Sequence, residues 1–243
     1  MLQLKNIKKS FGERIVLDSL NLDIEPGKIY TLIGGNGSGK TTLFNIITGF
    51  LKPDSGTLQF NGTLLNNKPP YKINRMGITR TFQDLRLIKN ITVRDNILLS
   101  FKNNNRENLF NALMPKQIFV EYDEKMVESA NVILKEISLT DVADSLAGEI
   151  SYGQQKLLTI GCCLANEPDL MLLDEPVAGI DDKNFDKITN IILRLKEEGR
   201  TILQIEHNPK YIEATSDVIQ FLENGKCVRQ DSYKDFHKLS AIN

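Results

Sequence analysis

The stretch "GGNGSGKTT", Gly34 to Thr42, decides the fold class of this chain. It follows the apolar run Ile29–Ile33, which predicts a buried strand, and it leads into Lys40–Phe50, which predicts a helix. The stretch matches the pattern G-x-x-x-x-G-K-[ST], whose fixed positions are Gly34, Gly39, Lys40 and Thr41. A strand, a glycine-rich loop and a helix in this order are typical of a phosphate-binding loop, or P-loop.

Each residue type in this loop has a chemical reason. Glycines let the backbone wrap closely around an anion, so that N–H groups and the helix N-terminus point at phosphate oxygens. Lys40 is predicted to hold the β- and γ-phosphates, and Thr41 to offer its hydroxyl to Mg²⁺. A glycine-rich turn with a surface lysine is the alternative, which the flanking strand and helix disfavour. The predicted phosphate-binding residues are Gly34, Asn36, Gly37, Ser38, Gly39, Lys40, Thr41 and Thr42.

A second stretch, "LMLLDEP" from Leu170 to Pro176, supplies carboxylates at the end of a predicted buried strand. Asp174 is placed to hold Mg²⁺ through water, and Glu175 to polarise a water for in-line attack on the γ-phosphate. Taken alone, an Asp-Glu pair after an apolar run is more often a helix start or a solvated turn. Its combination with a P-loop favours metal binding and catalysis.

The wider pattern predicts an α/β fold. The chain up to Ile33 is strand-rich, and Asn61-Gly62 between short β-prone runs indicates a hairpin. From about residue 92 to 164 the pattern is helical, with an Asn-rich loop at 102–108. The last third alternates strands with helices, which predicts a parallel sheet. The predicted elements there are a strand at Leu170–Leu173, a helix at Asp182–Glu198, a strand at Thr201–Ile205 and a closing hairpin over Val218–Arg229.

Composition predicts an ordinary globular protein. The 243 residues are 41% hydrophobic and carry a formal net charge of −1, so nothing draws the whole surface to nucleic acid or anionic lipid. The amino terminus lacks the plan of a signal peptide and the apolar runs are short for a membrane span, so a cytosolic chain is expected. Three cysteines (Cys162, Cys163 and Cys227) lack metal-ligand spacing and are interpreted as small buried hydrophobic residues.

The stretch "EISYGQQKLL", Glu149 to Leu158, narrows the class of P-loop protein to which the chain could belong. Ser151 and Gln154 predict a capping box at a helix start. The stretch also resembles the signature sequence of ATP-binding cassette (ABC) proteins, usually L-S-G-G-Q, with Tyr152 where glycine is commonest. The resemblance implies that Ser151, Gly153 and Gln154 bind the γ-phosphate of ATP held by an opposite subunit, which suits the anion preference of a helix start.

Four more residues fall in the order of that family. The resemblance makes Gln83 the Q-loop residue that approaches Mg²⁺, Asp181 the D-loop residue at the dimer interface, and His207 the switch histidine at the γ-phosphate. Phe11 corresponds to the aromatic residue that stacks on adenine. Taken singly, these residues are interpreted as a polar loop residue, a helix cap, a satisfied strand-end histidine and a core aromatic residue.

The resemblance also implies an architecture and an activity. The fold would be a P-loop NTPase (RecA-like) parallel-sheet core with an N-terminal antiparallel β subdomain and an inserted α-helical subdomain. Residues 1–243 would form one ABC ATPase domain, with the core at 1–85 and 160–243 and the helical subdomain with the signature at 86–159. The activity would be hydrolysis of ATP to ADP and phosphate, coupled to transport.

Within the family, "GITRTFQDLRLIKNITVRDNILL" (Gly77–Leu99), "ISYGQQ" and "DEPVAGID" resemble ATPase subunits of branched-chain (hydrophobic) amino-acid uptake systems. The implied partners are two transmembrane permease subunits, a second cassette (identical or different) and, indirectly, a solute-binding protein, but no nucleic acid. The implied location is peripheral, at the cytoplasmic face of the inner cell membrane.

Several alternatives stay open at this point. The solute could instead be urea, an amide or lipopolysaccharide, or the chain could be a soluble non-transport ABC ATPase. Proteins of that last kind usually carry two cassettes or a long inserted coiled coil, and neither pattern is seen in this sequence. Five basic residues surround Gln83 and are interpreted as a solvated surface, with a membrane partner's acidic or helix-end groups as the alternative; they are Lys72, Arg75, Arg80, Arg86 and Lys89.

Overall fold

A computed structural model describes residues 1–82, 85–101 and 116–230 of the chain. The chain folds as two compact units. The first, here called the sheet unit, comprises Met1–Arg80, Pro168–Ala178 and the residues from Ile192 on. The second, the helical unit, comprises Thr81–Glu167 and Gly179–Ile191. The boundaries expected for the helical subdomain, 86 and 159, stay a prediction.

All strands belong to the sheet unit within the described part of the chain. They are β1 (Leu2–Phe11), β2 (Arg14–Ile24), β3 (Ile29–Ile33), β4 (Ser55–Phe60), β5 (Thr63–Leu64), β6 (Ile78–Arg80), β7 (Leu170–Asp174), β8 (Thr201–Ile205), β9 (Val218–Glu223) and β10 (Lys226–Gln230). The α-helices are α1 (Lys40–Ile47), α2 (Pro70–Arg75), α3 (Val93–Ser100), α4 (Lys116–Glu136), α5 (Tyr152–Leu164), α6 (Asp182–Glu197) and α7 (Pro209–Thr215).

The larger sheet has six strands in the order β10-β9-β3-β8-β7-β6. The five strands from β9 to β6 run parallel, and β10 pairs antiparallel with β9 at the edge. Strands β3, β7 and β8 are buried at every position, because a central strand of a parallel sheet is covered on both faces. This confirms the predicted parallel sheet and places the P-loop directly after its central strand β3.

The smaller sheet is antiparallel, with four strands in the order β2-β1-β4-β5. Asn61 and Gly62 link β4 to β5 with φ angles of 47° and 76°, the left-handed pair that a two-residue hairpin favours, so the predicted hairpin is confirmed. Apolar residues from both sheets and from α1 form one buried cluster. Phe44 and Ile47 of α1 lie within it, and this packing anchors the helix that follows the P-loop.

Helix α1 ends at Ile47, three residues before the predicted end at Phe50. The reason is Gly49, whose φ of 76° is left-handed and whose Cβ, if it had one, would lie 2.6 Å from the carbonyl oxygen of Lys68. A left-handed residue directly after a helix is a common termination. The helix is therefore short and is oriented by its buried face.

The helical unit contains α3, α4, α5, the first part of α6 and a short 3-10 helix at Thr140–Val142. Helix α4 buries Ala130, Ile133 and Leu134, whereas Val127 is exposed. The predicted loop at 102–108 lies outside the described residues. Among the described helices, none has the length and apolar character needed to cross a bilayer.

Candidate nucleotide-binding site

Two glycines of the P-loop disfavour a side chain, Gly34 because of close packing and Gly39 because of its backbone conformation. A Cβ on Gly34 would lie 2.4 Å from the carbonyl oxygen of Leu222. Gly39 has a φ of 107°, and a Cβ there would lie 3.0 Å from side-chain atoms of both Val16 and Leu17. The loop is thus set between β2 and β9 in a shape that depends on glycine.

Lys40, the first residue of α1, folds back over this loop. Its Nζ donates to the carbonyl oxygens of Gly34 and Gly35 at 2.7 and 3.1 Å, and the residue is 8% exposed. Burial lowers the pKa of Lys40, while the nearby charges of Glu175 and Asp174 act against that lowering. The ammonium group therefore lies at the P-loop close to the two carboxylates predicted for the site.

The loop residues fit a magnesium nucleotide on structural grounds. Ser38 Oγ is buried and has no hydrogen-bond partner among the described residues, so it could donate to a phosphate oxygen. Helix α1 has no side-chain cap, which leaves its start open to an anion. The Thr41 side chain is exposed, and a hydroxyl together with the carboxylate of Asp174 offers the oxygen ligands that Mg²⁺ prefers.

Asp174 ends β7, as predicted, and is 5% exposed. Its Oδ2 accepts a hydrogen bond of 2.9 Å from Arg80 Nη2.

Arg80 also donates from Nη1 to Asn45 Oδ1 at 2.7 Å, and its guanidinium carbon lies 5.2 Å from the centre of the Phe44 ring. The interpretation of Arg80 as solvated surface was wrong, because the sheet pairs β6 with β7 and turns this side chain inward. Its position three residues before Gln83 was the only signal in the sequence.

Glu175 and His207 follow the adjacent strands β7 and β8 at the carboxyl edge of the sheet. His207 Nε2 lies 3.9 Å from Glu175 Oε1, with side chains that are 44% and 27% exposed. This separation is too long for a hydrogen bond but brings both predicted catalytic side chains to one place. Glu175 has a φ of 49°, a conformation that a residue with a side chain rarely adopts and that is common at functional sites.

The predicted capping box at the start of α5 is confirmed. Ser151 Oγ accepts from Gln154 N at 3.2 Å, and Gln154 Oε1 accepts from Ser151 N at 2.9 Å. Gly153 has no room for a side chain, because a Cβ would lie 2.4 Å from Nδ2 of Asn184. The signature residues are thus positioned by α6 within the helical unit.

Asn184 also binds Asp181, the residue predicted for the D-loop. Its backbone N–H donates to Asp181 Oδ1 at 2.9 Å and its side-chain amide to Oδ2 at 2.7 Å. These two hydrogen bonds, the backbone one first, lower the pKa of Asp181. Asn184 therefore links Asp181 to the signature helix.

Phe11 lies at the end of β1 and is 52% exposed, so its single-residue interpretation as a core aromatic was wrong. Lys9 Nζ lies 5.6 Å from the centre of its ring. In the same hairpin, Arg14 Nη2 donates to the carbonyl oxygen of Gly37 at 3.4 Å, which places the start of β2 beside the P-loop. An exposed ring on this hairpin is available for stacking on a planar ligand.

Comparison with known proteins identifies the class. The family model described as "ABC transporter" matches residues 17–178. The chain belongs to this family. It is 38% identical over 95% of its length to a probable branched-chain amino acid transport ATP-binding protein, LivG, of Methanocaldococcus jannaschii, and 34% identical over 93% to the high-affinity branched-chain amino acid transport ATP-binding protein BraF of Pseudomonas aeruginosa. The chain covers 89% of each of these relatives.

Solved structures agree on the fold of this ABC cassette. A nucleotide-free ATP-binding cassette from an ABC transporter matches with a TM-score of 0.85 and 36% identity, covering 99% of this chain and 95% of that one. The ADP conformation of an ATP-binding cassette matches with a TM-score of 0.84 and 36% identity, covering 99% and 94%. The predicted P-loop NTPase fold is confirmed, and the chain is an ATPase of the ABC family.

The predicted site residues of the cassette are distributed over the sheet unit and the helical unit. Phe11, the P-loop, Asp174, Glu175 and His207 lie in the sheet unit, whereas Ser151, Gly153, Gln154 and Asp181 lie in the helical unit. Gln83 lies outside the described residues. Arg80 is the buried contact of Asp174 that sequence reasoning missed.

Proposed function

We propose that this cassette is the ATP-hydrolysing subunit of a transporter that imports branched-chain or other hydrophobic amino acids. The observation that carries the proposal is the 38% identity, over 95% of the chain, to a protein named for branched-chain amino acid transport. The sequence of Gly77–Leu99 resembles the same subgroup at the segment expected to meet the membrane partner.

In the proposed site, different residues bind the nucleotide and catalyse its hydrolysis. The backbone N–H groups of the P-loop and Lys40 hold the phosphates of ATP, and Phe11 stacks on the adenine. Thr41, Asp174 and Gln83 hold Mg²⁺, which would neutralise charge on the β- and γ-phosphate oxygens. Glu175 orients and deprotonates the attacking water.

The remaining roles complete the site. His207, whose imidazole is 44% exposed beside Glu175, contacts the γ-phosphate. Ser151, Gly153 and Gln154 are supplied by a second cassette, identical or different, and Asp181 contributes to the interface. A dimeric bacterial ABC transporter cassette, 28% identical with a TM-score of 0.79, supports a paired arrangement. We expect a diluted monomer to hydrolyse ATP slowly, because half of each site is then missing.

Hydrolysis drives transport only through membrane partners. Two permease subunits would receive the closing and opening of the cassette pair, and a solute-binding protein would deliver the amino acid to them. The cassette would then be peripheral, at the cytoplasmic face of the inner membrane.

Affinity purification of the tagged protein from gently solubilised native membranes, followed by mass spectrometry, tests the proposal. Two polytopic permeases, a second cassette and an amino-acid-binding protein are the expected companions. The purified assembly in proteoliposomes should take up labelled leucine only with ATP inside, and the Glu175→Gln assembly should not. Uptake of a different solute would overturn the amino-acid assignment, and recovery of only ribosomal or DNA-associated proteins would overturn the transport role.

A further inference from the structure

Glu206 is a buried carboxylate between β8 and α7, and no sequence motif drew attention to it. We infer that Glu206 is a positioning residue that holds the loop of Glu175 and the loop of His207 in fixed relation. The inference rests on the proposed roles of Glu175 and His207 in ATP hydrolysis. It adds a residue that acts through them without touching ATP.

The contacts of Glu206 connect the two loops directly. Its Oε1 accepts a hydrogen bond of 3.0 Å from the backbone N–H of Val177, two residues after Glu175. Its Oε2 accepts from the backbone N–H of His207 at 2.9 Å and of Asn208 at 3.1 Å. One side chain, 2% exposed, thus satisfies three N–H groups from two loops.

The carboxylate of Glu206 lies where the backbone pairing of β7 and β8 ends. Strands β7 and β8 pair as far as Asp174 and Ile205, and the N–H of Glu175 donates to the Ile205 carbonyl oxygen at 3.0 Å. Beyond these residues the chains turn into separate loops, and Glu206 links the two loops through Val177 and His207. The side chain of Glu206 therefore continues the pairing of the parallel strands β7 and β8 at the point where the side chains of Glu175 and His207 emerge.

The backbone of Glu175 explains why such a link is needed. Its φ of 49° lies in the left-handed region, and a residue with a side chain stays there only when surrounding contacts hold it. The bond from Glu175 N to Ile205 lies on one side of this residue, and the bond from Val177 N to Glu206 lies on the other. Loss of the second bond frees the loop to relax, which would change the 3.9 Å separation of Glu175 and His207.

The chemistry requires two acceptor oxygens at position 206. A glutamine has the same shape but presents one oxygen and one NH₂ group. Whichever way the amide turns, its NH₂ group faces either the N–H of Val177 or those of His207 and Asn208. The substitution Glu206→Gln therefore breaks one link while keeping the side-chain volume.

The test compares Glu206→Gln with Glu206→Asp and with Glu213→Gln, a matched control that removes a carboxylate from the exposed face of α7. For Glu206→Gln we expect kcat for ATP to fall by about 10- to 100-fold, as for a catalytic group displaced by about 1 Å. KM and nucleotide affinity should stay within about 3-fold, because the P-loop is unchanged. Glu206→Asp keeps two acceptor oxygens and should recover part of the lost kcat.

A second readout needs no nucleotide. Amide hydrogen exchange should accelerate in Glu206→Gln on the side that the NH₂ group faces, which is either Val177 or His207 with Asn208, and it should not accelerate in Glu213→Gln. In a Glu175→Gln background, Glu206→Gln should add little further loss of kcat, because it acts through Glu175. These measurements use the purified cassette, so failure of the amino-acid assignment leaves them unaffected.

Three results would overturn the inference: a wild-type kcat in Glu206→Gln, losses that add fully in the Glu175→Gln background, or amide exchange that is unchanged at both Val177 and His207. If the glutamine variant does not fold, Glu206→Asp carries the test. Its shorter side chain should reduce kcat with nucleotide binding unchanged, and a wild-type kcat in that folded variant overturns the inference as well.

Discussion

Replacing Arg80 by methionine should destabilise the cassette strongly, because it removes the guanidinium that forms a buried ion pair with Asp174. The side chains of Arg80 and Asp174 are 4% and 5% exposed and are joined by a bond of 2.9 Å. Breaking a buried pair from one side costs about 3–5 kcal/mol. That range includes lost hydrogen bonds such as the one to Asn45, and methionine keeps much of the packing against Phe44, so we expect an unfolding free energy lower by about 3–5 kcal/mol.

Urea unfolding followed by circular dichroism, extrapolated linearly to water, measures this change. An exposed pair on the same sheet unit serves as the control. Lys8 Nζ lies 3.7 Å from Asp18 Oδ1, with side chains 52% and 41% exposed. Lys8→Met should alter the unfolding free energy by less than about 1 kcal/mol, as is usual for surface pairs.

A double-mutant cycle separates the ion pair from other effects of Arg80→Met. Asp174→Asn alone removes the negative charge beside the buried Arg80 guanidinium, whereas the double variant removes both charges. We therefore expect the double variant to be more stable than the sum of the single losses implies, by at least about 2 kcal/mol. A loss below about 1 kcal/mol for Arg80→Met, or full additivity in the cycle, would contradict this prediction.

Three further predictions concern single side chains. Glu175→Gln should keep ATP binding and trap a dimer, which light scattering would detect, whereas Lys40→Ala should weaken ATP binding, which nucleotide titration would measure. ATP turnover at the wild-type rate by Glu175→Gln would show that Glu175 is not the catalytic base. Asn184→Ala removes the side-chain hydrogen bond to Asp181 and keeps the backbone one, so it should raise the pKa of Asp181 part of the way to its ordinary value of 3.8. An unchanged pKa in an NMR titration of the carboxyl group would contradict this. Burial raises the pKa of Cys162 to about 11. Little thiolate is then present at pH 8, so this half-buried thiol should react slowly with disulfide reagents until the chain unfolds, and fast labelling of the native protein would contradict this.

Much of this fold could be read from consecutive residues. The P-loop, the hairpin at Asn61-Gly62 and the capping box at Ser151 each depend on a few neighbours in the chain, and each was predicted correctly. Local backbone chemistry decides such features, because a left-handed turn or a helix cap forms within three or four residues. Apolar runs at Ile29–Ile33 and Leu170–Leu173 likewise predicted the central strands.

Other features depend on which distant segments become neighbours. Arg80 finds Asp174 across 94 residues of sequence, and Glu206 finds Val177 across 29, because parallel strands bring their carboxyl ends to one edge of the sheet. The composition around Arg80 resembled solvated surface, and nothing near Glu206 distinguished it from an ordinary charged residue. Local patterns predicted the P-loop and most of the central strands and long helices, but not the short elements α2, β6 and α7. Which charged side chains become buried, and beside which groups, depends on the packing of distant segments, since a partner distant in the chain leaves no local pattern.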